Sequence, residues 1–358
     1  MGVFCVLLIG PMLIQHIALS REEIDRKKKN DAAITFFFVV FAILLMFRHE
    51  TVGNDTHNYI YFFNRVSSLD WVETGRKSVE FGYSYFNKAI SIFTDNHQVF
   101  LSVAALCTVA MIYPTYRRMC VDPSLTIVLF CTMSTFVVSF SAVRQMIAVG
   151  IGFVAYEFTR RRKPWLFLIC VVLAITFHTS AFMLIFMYPV YHAKITKAWT
   201  FPIVITVLTV FLFNRQIFSV LSIFIERYTK YDTTVSSTSA YAMIFLFAVF
   251  LAFAFLMPDE SKIDQETIGL RNFLLLSLIV QMFAPLHTIA MRMNYYYIIF
   301  IPLLIPKIIE HKSIQMSEIA VLGRNIMVVF FLGYFFYNSY TSGALNVFPY
   351  HFFWENVI

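Results

Sequence analysis

Apolar residues run in long stretches along the whole chain, separated by short polar segments. Stretches such as 32–47 and 125–140 have the length of helices within a hydrocarbon core about 30 Å thick. They lack the period-two alternation that strands of a membrane barrel require. The pattern therefore predicts an all-α polytopic membrane protein of about 12 transmembrane or half-spanning helices. They fall near 2–19, 32–47, 98–116, 125–141, 145–159, 165–178, 181–193, 199–213, 240–257, 272–290, 293–309 and 323–341. Polar turns at 141–145, 177–180 and 288–294 divide runs that would otherwise be continuous. A break within the hydrocarbon must be shielded by protein, because lipid cannot satisfy an irregular backbone.

Two connections are too long to be simple turns, 48–97 and 214–239. In the first, Phe81, Tyr85, Ala89 and Ile92 share one face of an amphipathic stretch at 79–93. This predicts a helix lying on the membrane surface. In the second, Phe218, Leu221 and Ile225 predict another interfacial helix. No internal repeat divides the chain, and a single transmembrane domain over 1–358 is the expected organisation.

Composition agrees with the pattern: 59% of residues are hydrophobic and only 14% charged, where a soluble domain carries about 25%. The net charge of +7 would suggest nucleic acid as the partner of a soluble chain. Here it is explained by basic cytoplasmic segments that set topology, and no nucleic-acid partner is expected. Arg26 to Lys29, Arg117 with Arg118, and Arg160 to Lys163 all fall on the cytoplasmic side if the N-terminus is outside. The connections 48–97 and 214–239 are then outer loops. The stretch 2–19 has no basic residues before it and reads as a first membrane helix rather than a cleaved signal. The five cysteines (Cys5, Cys107, Cys120, Cys131 and Cys170) show neither metal spacing nor a disulfide framework.

Ionisable residues on the expected outer side form the candidate site, since a charge at membrane depth costs several kcal/mol unless paired or solvated. They are Arg48 with Asp55 and Tyr59, Glu80 with Tyr83, Arg144 with Gln145, then His178, and finally Arg292 with Asn294, Tyr295 and Tyr296. Each has a plainer reading. Arg48 and Arg292 end apolar runs and could snorkel to headgroups. Asp55 could serve only an Asx turn, Glu80 could ride exposed on an interfacial helix, and His178 could cap a turn. As a set they are chemically coherent. Guanidinium forks bind phosphate oxygens bidentately, and a carboxylate or imidazole can take the proton of a hydroxyl nucleophile. The tyrosines suit sugar rings. No Asp-x-Asp motif argues for a divalent metal, so neither metal nor cofactor is expected.

In these segments the chain resembles the EpsG family of exopolysaccharide repeat-unit polymerases, Wzy-type membrane glycosyltransferases. The matching pieces are Arg48-x4-Gly53-x-Asp55-x3-Tyr59, Glu80-x-Gly82-Tyr83, Ser139-x-Ser141-x-x-Arg144-Gln145-x-x-Ala148-x-Gly150 and Phe177-His178-x-Ser180-Ala181. Arg292-x-x-x-Tyr296, Pro349-Tyr350 and Phe353-Trp354 fit more loosely. The resemblance implies a GT-C-like fold and glycosyl transfer between undecaprenyl-pyrophosphate-linked oligosaccharides, donor and acceptor, at the outer face of the cytoplasmic membrane. It implies the lipid bilayer, and a chain-length regulator, as partners. It also implies an inverting, metal-independent reaction in which Arg144 and Arg292, with Arg48, hold the pyrophosphate. Gln145, Tyr59, Tyr83 and Tyr296 line the substrate, and Asp55, Glu80 or His178 is the base. An O-antigen ligase-like transferase would use the same donor. A flippase would show repeated halves and charges near the bilayer centre, and a membrane O-acyltransferase would need an Arg beside His16.

Overall fold

The computed structural model describes residues 2–19, 25–76, 80–223, 237–311, 318–341 and 343–357. Among them the chain is helical, with an isolated antiparallel bridge between Arg48 and Phe352 and no strand. It forms two compact units, 1–182 with 321–358, and 183–320.

The first unit begins with α1 (Gly2–Leu19) and α2 (Arg26–Met46). Four helices follow: α3 (Thr56–Ser67), α4 (Trp71–Arg76), α5 (Phe81–Ser91) and α6 (His97–Met119). Next come α7 (Pro123–Thr132), α8 (Ser134–Ser141), α9 (Val143–Arg160) and α10 (Pro164–Phe177). The helix starts are written locally. The side chains of Asp25, Asn96 and Asp122 accept the backbone N–H of Lys27, Gln98 and Leu125, which no turn of helix can satisfy. Proline opens α7 and α10, where its missing N–H and fixed φ suit the first turn.

The core of this unit is aromatic. Phe37, Phe41, Phe130, Phe136 and Phe140 pack ring to ring between α2, α7 and α8, mostly edge to face. Helix α18 (Glu318–Thr341) returns to this unit. From it Arg324 forks onto the buried Asp122, with Nε 2.7 Å from Oδ2 and Nη2 2.8 Å from Oδ1. The final residues fold back along the end of α2. The amides of His49 and Phe353 donate to the carbonyls of His351 and Phe47, and Gly53 and Asn54 donate to Asn346 and Leu345.

The second unit contains α11 (Met187–His192), α12 (Thr200–Leu212), α13 (Asn214–Ile223), α14 (Ser237–Leu256) and α15 (Gln265–Gln281). Helices α16 (Thr288–Ile298) and α17 (Ile301–Ile309) complete it. Within it Arg271 is fully buried. The guanidinium forks onto both oxygens of Glu260 at 3.0 and 2.9 Å, donates to the Ile195 carbonyl, and stacks 4.0 Å above the ring of Phe255. This one cation satisfies a carboxylate and a loop carbonyl that would otherwise be costly to bury.

Four helices (α2, α6, α14 and α18) are long and apolar enough to cross a membrane. Counting each of three sharply bent pairs as one crossing raises the number to seven among the described residues. The dozen expected segments mostly exist as helices, but several pair into bent units: α7 bends from α8 by 59° and α16 from α17 by 47°. The expected break at 141–145 lies at Ala142 and that at 177–180 at His178. The third expected turn is displaced. Residues 288–294 are the start of α16, and the chain turns at 282–287 instead, where the His287 side chain caps Ile289 N–H. Arg292 had suggested a turn, but an exposed cation is compatible with a helix surface.

The amphipathic stretch is the helix α5, whose buried residues are Tyr83, Ser84 and Asn87. Phe81, Ile92 and Phe93 are 60%, 60% and 87% exposed. Phe81 and Ile92 of the predicted face are therefore exposed, while Tyr85 of the same face stacks on Trp71 of α4. Val79, Ile225 and the side chain of Leu221 lie outside the described residues; the helix predicted around Phe218 is α13.

Candidate functional site

Three segments converge on Glu80. It immediately precedes α5 in an extended conformation and is not exposed on that helix: its side chain is only 8% exposed. Gly82 lets this end of α5 close on α10, since a Cβ there would strike Thr176 and Phe177. Arg144, in the first turn of α9 just after the Ala142 break, donates from Nη1 to Glu80 Oε2 at 2.5 Å. The other carboxylate oxygen receives the Thr179 amide at 3.1 Å and the Thr179 hydroxyl at 3.3 Å. His178 Nδ1 stands 3.0 Å from that same oxygen, within ion-pair reach but off the hydrogen-bonding direction. Ending α10 at Phe177 and starting a 3-10 helix at Thr179 places both His178 and the Thr179 amide against Glu80.

The carboxylate is thus occupied on both oxygens. Burial by itself raises the Glu80 carboxyl pKa. The His178 imidazole 3.0 Å away, the Arg144 charge and the Thr179 amide outweigh it and hold the group below its ordinary range. Such a carboxylate is a weak base and a strong organiser of its neighbours.

Two tyrosines frame the cation. The rings of Tyr59 (α3) and Tyr83 (α5) are each centred 5.8 Å from Arg144 Cζ, within the range of cation–π attraction. Burial pushes both phenols above their ordinary value, so both stay protonated at neutral pH. Among the described residues the buried Tyr83 hydroxyl and Arg144 Nε have no hydrogen-bond partner.

Arg48 and Asp55 lie on the connection between α2 and α3. Arg48 is 2% exposed and donates to the Leu45 carbonyl at 2.6 Å. Burial pulls its guanidinium down to about 10, still charged at neutral pH. The connection is pinned to the α8–α9 break. Gly53, at φ +92°, lies so close to the Phe140 carbonyl that a Cβ would collide with it. Next to it, the Asp55 amide donates to the Ser141 hydroxyl at 3.3 Å. Asp55 is the N-cap residue of α3, yet its side chain makes no cap hydrogen bond.

The structure therefore brings Glu80, Arg144, His178, Tyr59 and Tyr83 together, with Arg48 and Asp55 on the adjoining connection. Gln145 is buried on α9 beside Arg144. Arg292 and Tyr296 belong to the second unit, where Arg292 is exposed on α16 and Tyr296 is buried. Near them Asn294 donates to the Ser277 carbonyl and Gln281 Oε1, a buried polar knot between α15 and α16.

Two residues of the first unit were not anticipated. Thr179 follows the recognised His178 directly, and a polar residue closing a broken apolar run was the available signal. Asn87 stands one turn after Tyr83 and donates to its carbonyl. Tyr350, part of the loosely matching Pro349-Tyr350 piece, donates to the Leu44 carbonyl near Arg48. Among the described residues no three His, Cys, Asp or Glu side chains converge as a metal site would require.

A helical chain with several apolar spans and a shielded Arg–Glu–His cluster is a multi-pass membrane protein with a polar centre capable of acid–base chemistry. It belongs to the EpsG family, whose model matches residues 31–352, nearly the whole chain. No curated protein and no solved structure matches it.

Proposed function

We propose that the protein is an oligosaccharide repeat-unit polymerase with a GT-C-like mechanism. In this reading it joins undecaprenyl-pyrophosphate-linked oligosaccharides at the outer face of the cytoplasmic membrane. Family membership supports the polysaccharide class, and the observation that carries the chemistry is the double engagement of Glu80 by Arg144 and His178.

With both oxygens occupied, Glu80 orients rather than accepts. It faces His178 Nδ1, so Nε2 is the nitrogen that takes the proton of the acceptor hydroxyl. The freed oxygen attacks the anomeric carbon of the donor. The bond from that carbon to the pyrophosphate oxygen breaks, and lipid pyrophosphate leaves with the electron pair. Arg144, fixed by Glu80 and by the faces of Tyr59 and Tyr83, meets the negative charge that develops on the phosphate. Direct displacement inverts the anomeric centre, and with arginine opposite the leaving group no metal is required. The Asp55 carboxylate is the alternative base.

Reconstituted protein given lipid-linked repeat units should yield a ladder of polymer. Replacing His178 with Gln should lower the rate at least about 100-fold, the usual contribution of a general base, while the protein keeps its unfolding midpoint. A ladder formed at the unaltered rate by that variant removes His178 from the mechanism. Product limited to one transfer onto a different acceptor replaces polymerase by ligase.

A further inference from the structure

A second amphiphilic site lies at the other end of α2 from Arg48. The helix has 21 residues, so about 30 Å separates the two ends at 1.5 Å per residue. A cleft of about 560 Å³ opens there between α1, α2 and α6, lined by Ile14, Lys28, Asp31, Ala32, Thr35, Phe36 and Arg117. Its walls are of two kinds. Ile14, Ala32 and Phe36 form an apolar slope, and Lys28, Asp31, Thr35 and Arg117 a polar rim.

The polar rim carries a net positive charge. Asp31 is the acid, and it is held by Lys27 at 2.7 Å and by Arg117 at 3.2 Å. That leaves Lys28 as an exposed cation on the rim, with Arg117 half-exposed beside it. Lys27 also donates to the Arg117 carbonyl at 2.6 Å, which ties the start of α2 to the end of α6 and fixes the cations relative to one another. The Thr35 hydroxyl, 2.9 Å from the Tyr113 hydroxyl, adds a neutral polar group where rim gives way to slope. Arg118, Arg160 and Arg161 lie on the same basic end around Glu157.

We propose that this cleft binds the phosphodiester headgroup of an anionic phospholipid, with its acyl chain running along Ile14, Ala32 and Phe36. A basic notch between membrane helices suits such a headgroup, and each Lys or Arg near an anionic lipid surface strengthens binding about five-fold. An apolar slope continuous with the notch distinguishes a lipid from a soluble phosphate. The site is separate from the Glu80 cluster, and the proposal does not depend on the reaction assigned there.

The test is native mass spectrometry of the purified full chain, titrated with phosphatidylglycerol, phosphatidylcholine or glycerol 3-phosphate. Phosphatidylglycerol adducts should survive at activation energies that strip phosphatidylcholine. Lys28→Glu should weaken them at least five-fold, and Lys163→Glu, on the same basic end but outside the cleft, should leave them within two-fold. Equal retention of both lipids, or equal loss in the two variants, overturns the proposal in favour of general surface charge. Displacement of the lipid by millimolar glycerol 3-phosphate overturns the lipid assignment. Both substitutions are at exposed side chains, and an unchanged unfolding midpoint establishes that each variant is folded.

Discussion

Replacing Glu80 with Gln keeps the shape of the side chain and removes its charge. The amide oxygen can still accept from Thr179, but Arg144 loses the anion 2.5 Å from Nη1. Removing one partner of a fully buried ion pair costs about 3–5 kcal/mol. The Arg144 side chain is 26% exposed against 8% for Glu80, so water recovers part of that loss and about 2 kcal/mol is expected. A double-mutant cycle with Arg144→Met, read by equilibrium unfolding in mixed detergent and SDS micelles, isolates the pair. The coupling should be about 2 kcal/mol, and a value below about 0.5 kcal/mol refutes the claim that this contact organises the site. The pH dependence has a definite sign. Because the folded-state pKa of Glu80 is depressed, its stabilisation is complete above the ordinary value of 4.5 and is lost as the pH falls below it. Glu80→Gln should flatten that part of the stability profile and leave neutral pH behaviour otherwise parallel.

Gly53→Ala should destabilise the first unit by about 2 kcal/mol or more, since it adds backbone strain and a clash with the Phe140 carbonyl; an unchanged SDS midpoint contradicts the description of this turn. Arg271→Met should cost about 3 kcal/mol by stranding Glu260 and the Ile195 carbonyl, and adding Glu260→Gln should restore part of it in the same assay. Introducing Asp at both the exposed Ile92 and the exposed Phe93 should speed amide exchange across α5 in liposomes and not in detergent, the outcome expected of an interfacial helix; equal exchange in both media removes α5 from the interface.

Much of the architecture was written locally. Long apolar runs demand helices in lipid because the backbone has no other hydrogen-bond partner there. Breaks at Ala142 and His178 were legible because polar residues interrupt those runs. Where a polar residue lay on a helix surface instead, as Arg292 does, the same signal put the turn six residues too late. The ionisable residues Glu80, Arg144 and His178 were also visible, since such groups stand out against an apolar background. Their meeting was not. Glu80 is 64 residues from Arg144 and 99 from Thr179, and nothing local to any of the three specifies that approach. Gly53 against Phe140, Gly82 against Thr176 and the tail laid along residues 47–54 set it. Sequence thus determined which groups would be expensive to leave unpaired. Only the course of the packed backbone decided that both oxygens of Glu80 are taken by its partners, the observation on which the proposed roles of Glu80 and His178 rest.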